Sequence, residues 1–256
     1  MANVKPMANV KVVTAALVII GNEVLSGRTQ EANVRYLGAR LNALGIRLLE
    51  VRVIPDVEES IINAVNHLRR QFDHIFTTGG IGPTHDDITS ASISKAFGVK
   101  LVRDPEAERL VCSNYATPRE VTPARLRMAD VPEGSILLKN PVSKAPGFRI
   151  GNVYVLPGVP RIMQAIFDGF SQELIGGEPM KSREITAFLP EGKFSAHLEK
   201  IQARFLDADL GSYPFVRNGR FGAALVIRHT DKGVVDAAAE EVCAMVRSLG
   251  GDPIED

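Results

Sequence analysis

Apolar and polar positions along the chain alternate between two rhythms. Val12 to Ile20 is a nearly unbroken apolar run with the length of a buried strand. A glycine-bearing loop, Gly21 to Gly27, follows, and then Val34, Leu37, Leu41 and Leu44 recur at helical spacing. The same alternation repeats downstream. Arg47 to Ile54 reads as a strand, Val57 to Gln71 as a helix through Ile61, Ile62, Val65 and Leu68, and His74 to Thr78 as a third strand. Ser90 to Phe97 supplies another helix. Strands alternating with helices predict an α/β fold whose parallel sheet is joined by right-handed crossovers. Helices around Pro105 to Asn114 and Thr122 to Met128 are expected next, the second opening Thr-Pro in the manner of a capped start. Short strands at Ser135 to Leu138, Phe148 to Ile150 and Val153 to Leu156 lead through Pro157-Gly158-Val159-Pro160 into a helix ending near Leu174.

The pattern changes at Gly176-Gly177-Glu178-Pro179. Beyond it the order reads strand (Ser182 to Leu189), helix (Lys193 to Phe205), strand (Gly211 to Val216), strand (Phe221 to His229), helix (Val234 to Leu249). Asn218-Gly219 between the last two strands is a hairpin signal, because both residues accept positive φ. The expected organisation is a flexible extension over 1–11, an α/β domain over 12–175 and a smaller α+β domain over 180–256. The extension contains a near repeat, Met1 to Lys5 and Met7 to Lys11.

Composition narrows the partners. The chain has 256 residues, 45% of them hydrophobic, with 30 basic and 30 acidic side chains that cancel. No basic excess points to nucleic acid and no polybasic run to a membrane surface. Val12 to Ile20 is too short to span a bilayer. Cys112 and Cys243 are far apart and each sits in a helical pattern, which argues against a disulfide framework and fits a reducing cytoplasm.

The chemistry concentrates at Thr77-Thr78-Gly79-Gly80-Ile81-Gly82-Pro83-Thr84-His85-Asp86-Asp87-Ile88-Thr89, where a strand ends and a helix begins. Ligands of open α/β sheets bind at that edge. The glycines let backbone N–H groups approach an anion, which the next helix N-terminus also favours. A carboxylate just beyond would repel a bare phosphate, so either a divalent cation bridges the two or the acid serves as a base. Read more simply, the run is a tight turn with an N-cap. Neither GxxxxGK[ST] nor a GxGxxG opening the first helix is present.

Other loops emerge at the same edge. Glu23 and Ser26 follow strand one and could share a pocket with Gly79, or could be solvated and locally bonded. Asp56 follows strand two and suits either a functional carboxylate or a helix cap. Asn140 to Gly147 carries Lys144, which either neutralises a phosphate or is an exposed loop side chain. Three βα junctions thus deliver carboxylates to one edge, a set that suits Mg²⁺ or a similar hard cation. His67, His74, His197 and His229 show no metal-ligand spacing, and Gly-x-Ser-x-Gly is absent.

The combination of Gly21-x-Glu23-x-Leu25-x-Gly27, Asn33, Pro55-Asp56, the run from Thr78 to Thr89, Asn140-Pro141 with Ala145-Pro146-Gly147, and Leu156 to Pro160 resembles the molybdopterin-binding, MoaB/Mog-like superfamily. Within it the chain is similar to the N-terminal modules of the CinA (competence/damage-inducible protein A) family from about Val12 onward. The resemblance implies a three-layer parallel-sheet domain followed by the small α+β domain of the same family. It also implies a choice of chemistry: molybdopterin binding and adenylation, or hydrolysis of ADP-ribose or FAD-type pyrophosphates with divalent metal, Mg²⁺ or Co²⁺, and potassium. The two functional aspartates of the Mog-like pattern match Asp56 and Asp87. Two departures stand out. Glu31-Ala32-Asn33 replaces the usual Asp-Thr-Asn, and Ser143-Lys144 replaces the commoner Gly-Thr. The downstream deamidase domain of full-length CinA has no counterpart in these residues.

The expectation is a cytoplasmic, homo-oligomeric metal-dependent pyrophosphatase acting on a nucleotide, or alternatively a pterin-binding module without turnover, or a non-catalytic scaffold. In it Gly79, Gly80 and Gly82 cradle the diphosphate, and Glu23, Asp86 and Asp87 hold the metal. Asp56 orients or deprotonates the attacking water, with Asp87 as the second catalytic aspartate. Thr84, Ser26, Asn33, Asn140, Lys144 and Gly158 contact the substrate.

Overall fold

The computed structural model describes residues 12–255, so the expected extension over 1–11 lies outside the described residues. The chain divides at Gly177/Glu178 into two compact units. In the first, β1 (Val13–Ile20), a short helix α1 (Asn22–Leu25), α2 (Asn33–Ala43), β2 (Ile46–Ile54), α3 (Glu58–Leu68), β3 (His74–Thr78) and α4 (Thr89–Phe97) follow one another. An excursion of β4 (Leu101–Arg103), α5 (Pro105–Cys112), α6 (Pro123–Leu126) and β5 (Asp130–Pro132) precedes β6 (Ile136–Leu138), β7 (Gly147–Ile150), β8 (Val153–Leu156) and α7 (Pro160–Phe170).

The main sheet has six strands in the order β2-β1-β3-β8-β7-β6. β2, β1, β3 and β8 are parallel, and β7 and β6 continue antiparallel, β7 joined to β8 by the tight Gly151-Asn152 turn and β6 joined to β7 by the loop over 139–146. The unbroken apolar run of β1 has its reason in the layering, because a parallel sheet is covered on both faces. Ala15, Leu17 and Ile19 join Leu37 and Leu41 of α2 and Ile166 and Phe167 of α7 in one cluster. Ala16, Val18 and Ile20 join Ile61 and Val65 of α3 and Ile93 of α4 in the other. Alternate positions of a strand face opposite sides, so one eight-residue strand feeds both cores. This is the expected mixed α/β domain of three layers.

Three elements depart from the periodicity. Asn22–Leu25 is a helix rather than loop, and Leu101–Arg103 pairs antiparallel with Asp130–Pro132 in a separate two-stranded sheet. Each is too short to carry a readable period.

The second unit holds β9 (Lys181–Ala187), α8 (Glu191–Gln202), β10 (Asp209–Arg217), β11 (Arg220–His229), α9 (Lys232–Ser248) and β12 (Ile254–Glu255). Its four-stranded sheet runs β10-β11-β9-β12 and is antiparallel throughout. Ile185, Leu225 and Ile227 face Phe194 of α8 and Val242 of α9 in its core. Asn218 and Gly219 take φ of 51° and 73°, as the two-residue hairpin requires. Among the described residues no helix is long and apolar enough to cross a membrane.

Both cysteines are free thiols. Cys243 is buried on α9 and donates to Glu255 Oε1 at 3.4 Å, and burial followed by that acidic neighbour pushes its thiol above the usual range. Thiolate is the reactive form, so at mild alkaline pH a thiol reagent is expected to label half-buried Cys112 first and Cys243 at least ~10-fold more slowly. Peptide mapping against labelling time checks the order.

Candidate functional site

The loops after three parallel strands meet the turn before β7 around a cavity of about 500 Å³. Glu23, Gly79, Gly80, Gly82, Asp87, Asn140 and Gly158 all line it. The remaining expected residues lie around it: Asn33 with Thr78 at an adjoining recess of about 40 Å³, and Asp56, Thr84, Asp86, Ser26 and Lys144 off the wall.

The glycine loop is shaped by collisions that only glycine avoids. Gly79 sits at φ +105°, and a Cβ there would lie 2.1 Å from the Ile20 carbonyl oxygen at the end of β1. Its own N–H donates to Leu156 O at 3.1 Å, so the loop is fixed to β8 while pressed against β1. At Gly82 the neighbour is Asp87, whose Oδ2 would be 2.7 Å from a Cβ. That same oxygen accepts the Thr84 N–H at 2.8 Å and the Thr84 hydroxyl at 2.5 Å. Thr84 thus holds Asp87 in place from outside the cavity. The loop is also clasped from the excursion, where Arg127 Nη2 donates to Pro83 O at 2.6 Å beside the cavity-lining Met128.

Glu23 is carried on α1, whose first N–H groups need acceptors. Asn22 N donates to Asp56 Oδ2 at 2.8 Å, and Gly21 N donates to Ile54 O at 3.1 Å. Asp56 therefore spends a carboxylate oxygen capping the helix that presents Glu23, and it stands away from the cavity wall. The expected metal trio also separates. Glu23 and Asp87 face the cavity, whereas the Asp86 side chain is 63% exposed beside His85. Among the described residues no three His, Cys, Asp or Glu side chains gather into a metal-holding group.

Ser26 is exposed and donates to Glu23 O at 3.3 Å, completing the turn after α1. Lys144 is exposed at φ 63°. Asn140 is 5% exposed, and its bonds go to its own loop: Oδ1 accepts from Val142 N and Ser143 N, and Nδ2 donates to Ser143 Oγ and Ala145 O, both at 2.7 Å. It builds one wall of the cavity. Asn33 Nδ2 donates to Gly158 O at 2.9 Å, which fastens the start of α2 to the loop after β8. The buried Asn33 Oδ1, Thr78 Oγ1 and Thr89 Oγ1 have no protein partner. Such atoms are ordinarily satisfied by water or ligand. Among residues missed from sequence, Thr29 lines the cavity and Arg127 clasps its loop.

A cavity at the carboxyl edge of a mostly parallel sheet, lined by a glycine loop, two carboxylates and the apolar side chains of Met128, Val159 and Ile162, defines an α/β small-molecule-binding domain. The chain belongs to the MoaB/Mog-like family of the probable molybdopterin binding domain, which matches residues 16–176. Residues 179–250 match the FAD synthase middle domain. A protein of Pyrobaculum calidifontis is 34% identical and covers 92% of this chain and 96% of its own. A probable FAD synthase of Caenorhabditis elegans is 30% identical over 88% of this chain but 48% of its own length. The crystal structure of CinA from Thermoplasma acidophilum has a TM-score of 0.59 at 32% identity, covering 62% of this chain and 96% of that one. These likenesses bear out the resemblance drawn from the loop motifs.

Proposed function

We propose that the first unit is a nucleotide pyrophosphatase that hydrolyses ADP-ribose or a related FAD-type dinucleotide and releases AMP. The observation that carries this reading is the presence of Glu23, Asp87 and the glycine loop on one cavity that apolar side chains also line. Similarity to probable FAD synthases over most of the chain supports a nucleotide as the ligand class.

In this reading the backbone of Gly79, Gly80 and Gly82 receives the diphosphate, and the apolar lining residues Met128, Val159 and Ile162 contact a flat ring. The donor set fits a hard cation held jointly with substrate, because such an ion is commonly bound by one or two carboxylates plus phosphate oxygens and water. Glu23 and Asp87 would be the protein ligands. A bound Mg²⁺ or Co²⁺, with K⁺ as further charge, would neutralise charge developing on the phosphoanhydride oxygens. Water adds to one phosphorus, the bridging oxygen departs with the other phosphate, and AMP is one product. Asp87 is the aspartate assigned to contact the reacting groups. Asp56 acts through Asn22 and α1 as a positioning residue.

Incubating the protein with ADP-ribose, FAD and NAD, with Mg²⁺ or Co²⁺ plus K⁺, is expected to release AMP from at least one. Absence of AMP from all of them removes the hydrolase reading. The family match favours a second one, a pterin-binding module without turnover. Copurified pterin, detected by its fluorescence after oxidation, distinguishes it.

A further inference from the structure

The peptide group between Pro83 and Thr84 is held at both ends. Its carbonyl oxygen accepts from Arg127 Nη2 at 2.6 Å, and its N–H donates to Asp87 Oδ2 at 2.8 Å. A peptide is planar and conjugated, so a cation on its oxygen makes its N–H a better donor. A carboxylate on the N–H in turn makes the oxygen a better acceptor. Guanidinium, peptide and carboxylate form one polarised chain, and its far end is the aspartate that lines the cavity. Both of its hydrogen bonds have an ionised partner, which makes them the stronger kind.

Arg127 is committed to this contact. Among the described residues no carboxylate pairs with it, and its side chain donates to Pro83 O. The backbone that carries it is anchored on both sides. Arg125 stacks over the Tyr115 ring at 4.3 Å, the buried Ala129 accepts from Asp104 N at 3.0 Å, and Arg103 grips Asp130 through two nitrogens. Met128, next to Arg127, lines the cavity. We propose, resting on the pyrophosphatase reading for the reaction served, that Arg127 is a positioning residue: acting through the Pro83-Thr84 peptide, it holds the Asp87 carboxylate in its working orientation. The excursion between α4 and β6 thereby sets the placement of a carboxylate carried on a different loop.

Arg127→Met removes the charge and the donors at similar length, and Arg127→Lys keeps a cation and a donor. In the ligand-free protein, solvent exchange of the Thr84 amide, followed by NMR, is expected to quicken about threefold or more in Arg127→Met and to return most of the way in Arg127→Lys. Melting temperatures are expected to stay within about 2 °C of the wild type. Unchanged Thr84 exchange overturns the proposal, whether or not AMP is released. With whichever of ADP-ribose, FAD and NAD is cleaved fastest, Arg127→Met is expected to lower kcat about tenfold with little change in KM, and Arg127→Lys to recover most of it. Added to Asp87→Asn, Arg127→Met is expected to cost no more than about a further twofold, because its route ends at a charge already removed. A full multiplicative loss in that double variant, or a loss confined to KM, means that Arg127 contacts substrate itself and overturns the positioning role. If the wild type releases no AMP, the pyrophosphatase reading falls, and the Thr84 exchange alone decides whether Arg127 holds Asp87.

Discussion

Asp87→Asn is expected to cut metal-dependent AMP release by ~10²- to 10³-fold while leaving the melting temperature nearly unchanged. The substitution keeps shape and one carbonyl oxygen, so the amide can still accept from Thr84, whose N–H and hydroxyl converge on Asp87 Oδ2. What it removes is negative charge on the wall of the cavity, next to the close approach of Gly82. If the charge holds a cation against substrate, loss of turnover is large and added metal rescues it little. Turnover equal to the wild type takes Asp87 out of the chemistry. Asp56→Asn provides the contrast. Its contact is the Asn22 N–H, so its effect is expected to be smaller and to track the placement of α1.

Gly79→Ala is expected to destabilise the first unit by ~3 kcal/mol, a fall in its melting midpoint of roughly 6 to 12 °C, and to abolish ligand binding. Two costs add there. At φ +105° an alanine is strained whatever the space around it. Its methyl would also lie 2.1 Å from the Ile20 carbonyl oxygen, which belongs to a strand hydrogen-bonded on both sides and has nowhere to move. Gly98→Ala separates the two costs: φ there is +68° with nothing within 4 Å, so only the conformational penalty of about 1 kcal/mol applies. Equal losses at the two positions would mean that the collision with β1 relaxes.

The layered fold was legible because burial on both faces leaves a mark in the chain. Val13 to Ile20 is apolar at nearly every position for that reason, and the Asn218-Gly219 hairpin follows from residue-specific φ preferences. The site was legible only as a set of loops at one edge. Pattern places Asp56 and Glu23 at neighbouring strand ends but does not say which way a carboxylate turns, and Asp56 turns to the Asn22 N–H. Asn140 reads as a ligand contact from its motif, yet its hydrogen bonds are consumed within five residues of chain. Arg127 and Pro83 are 44 positions apart and share no pattern at all. Contacts of that kind come from tertiary packing, which periodicity does not encode.

The cavity is assembled from segments spread between Glu23 and Ile162, and no stretch of the chain contains it alone. An occupant therefore acts as a rivet through the whole first unit, gripping the native state and having nothing to hold in the unfolded one. At a concentration of a hundred times Kd it would add about 2.7 kcal/mol to unfolding. Heat resistance in the presence of different small molecules thus becomes an assay of chemical preference that does not depend on turnover.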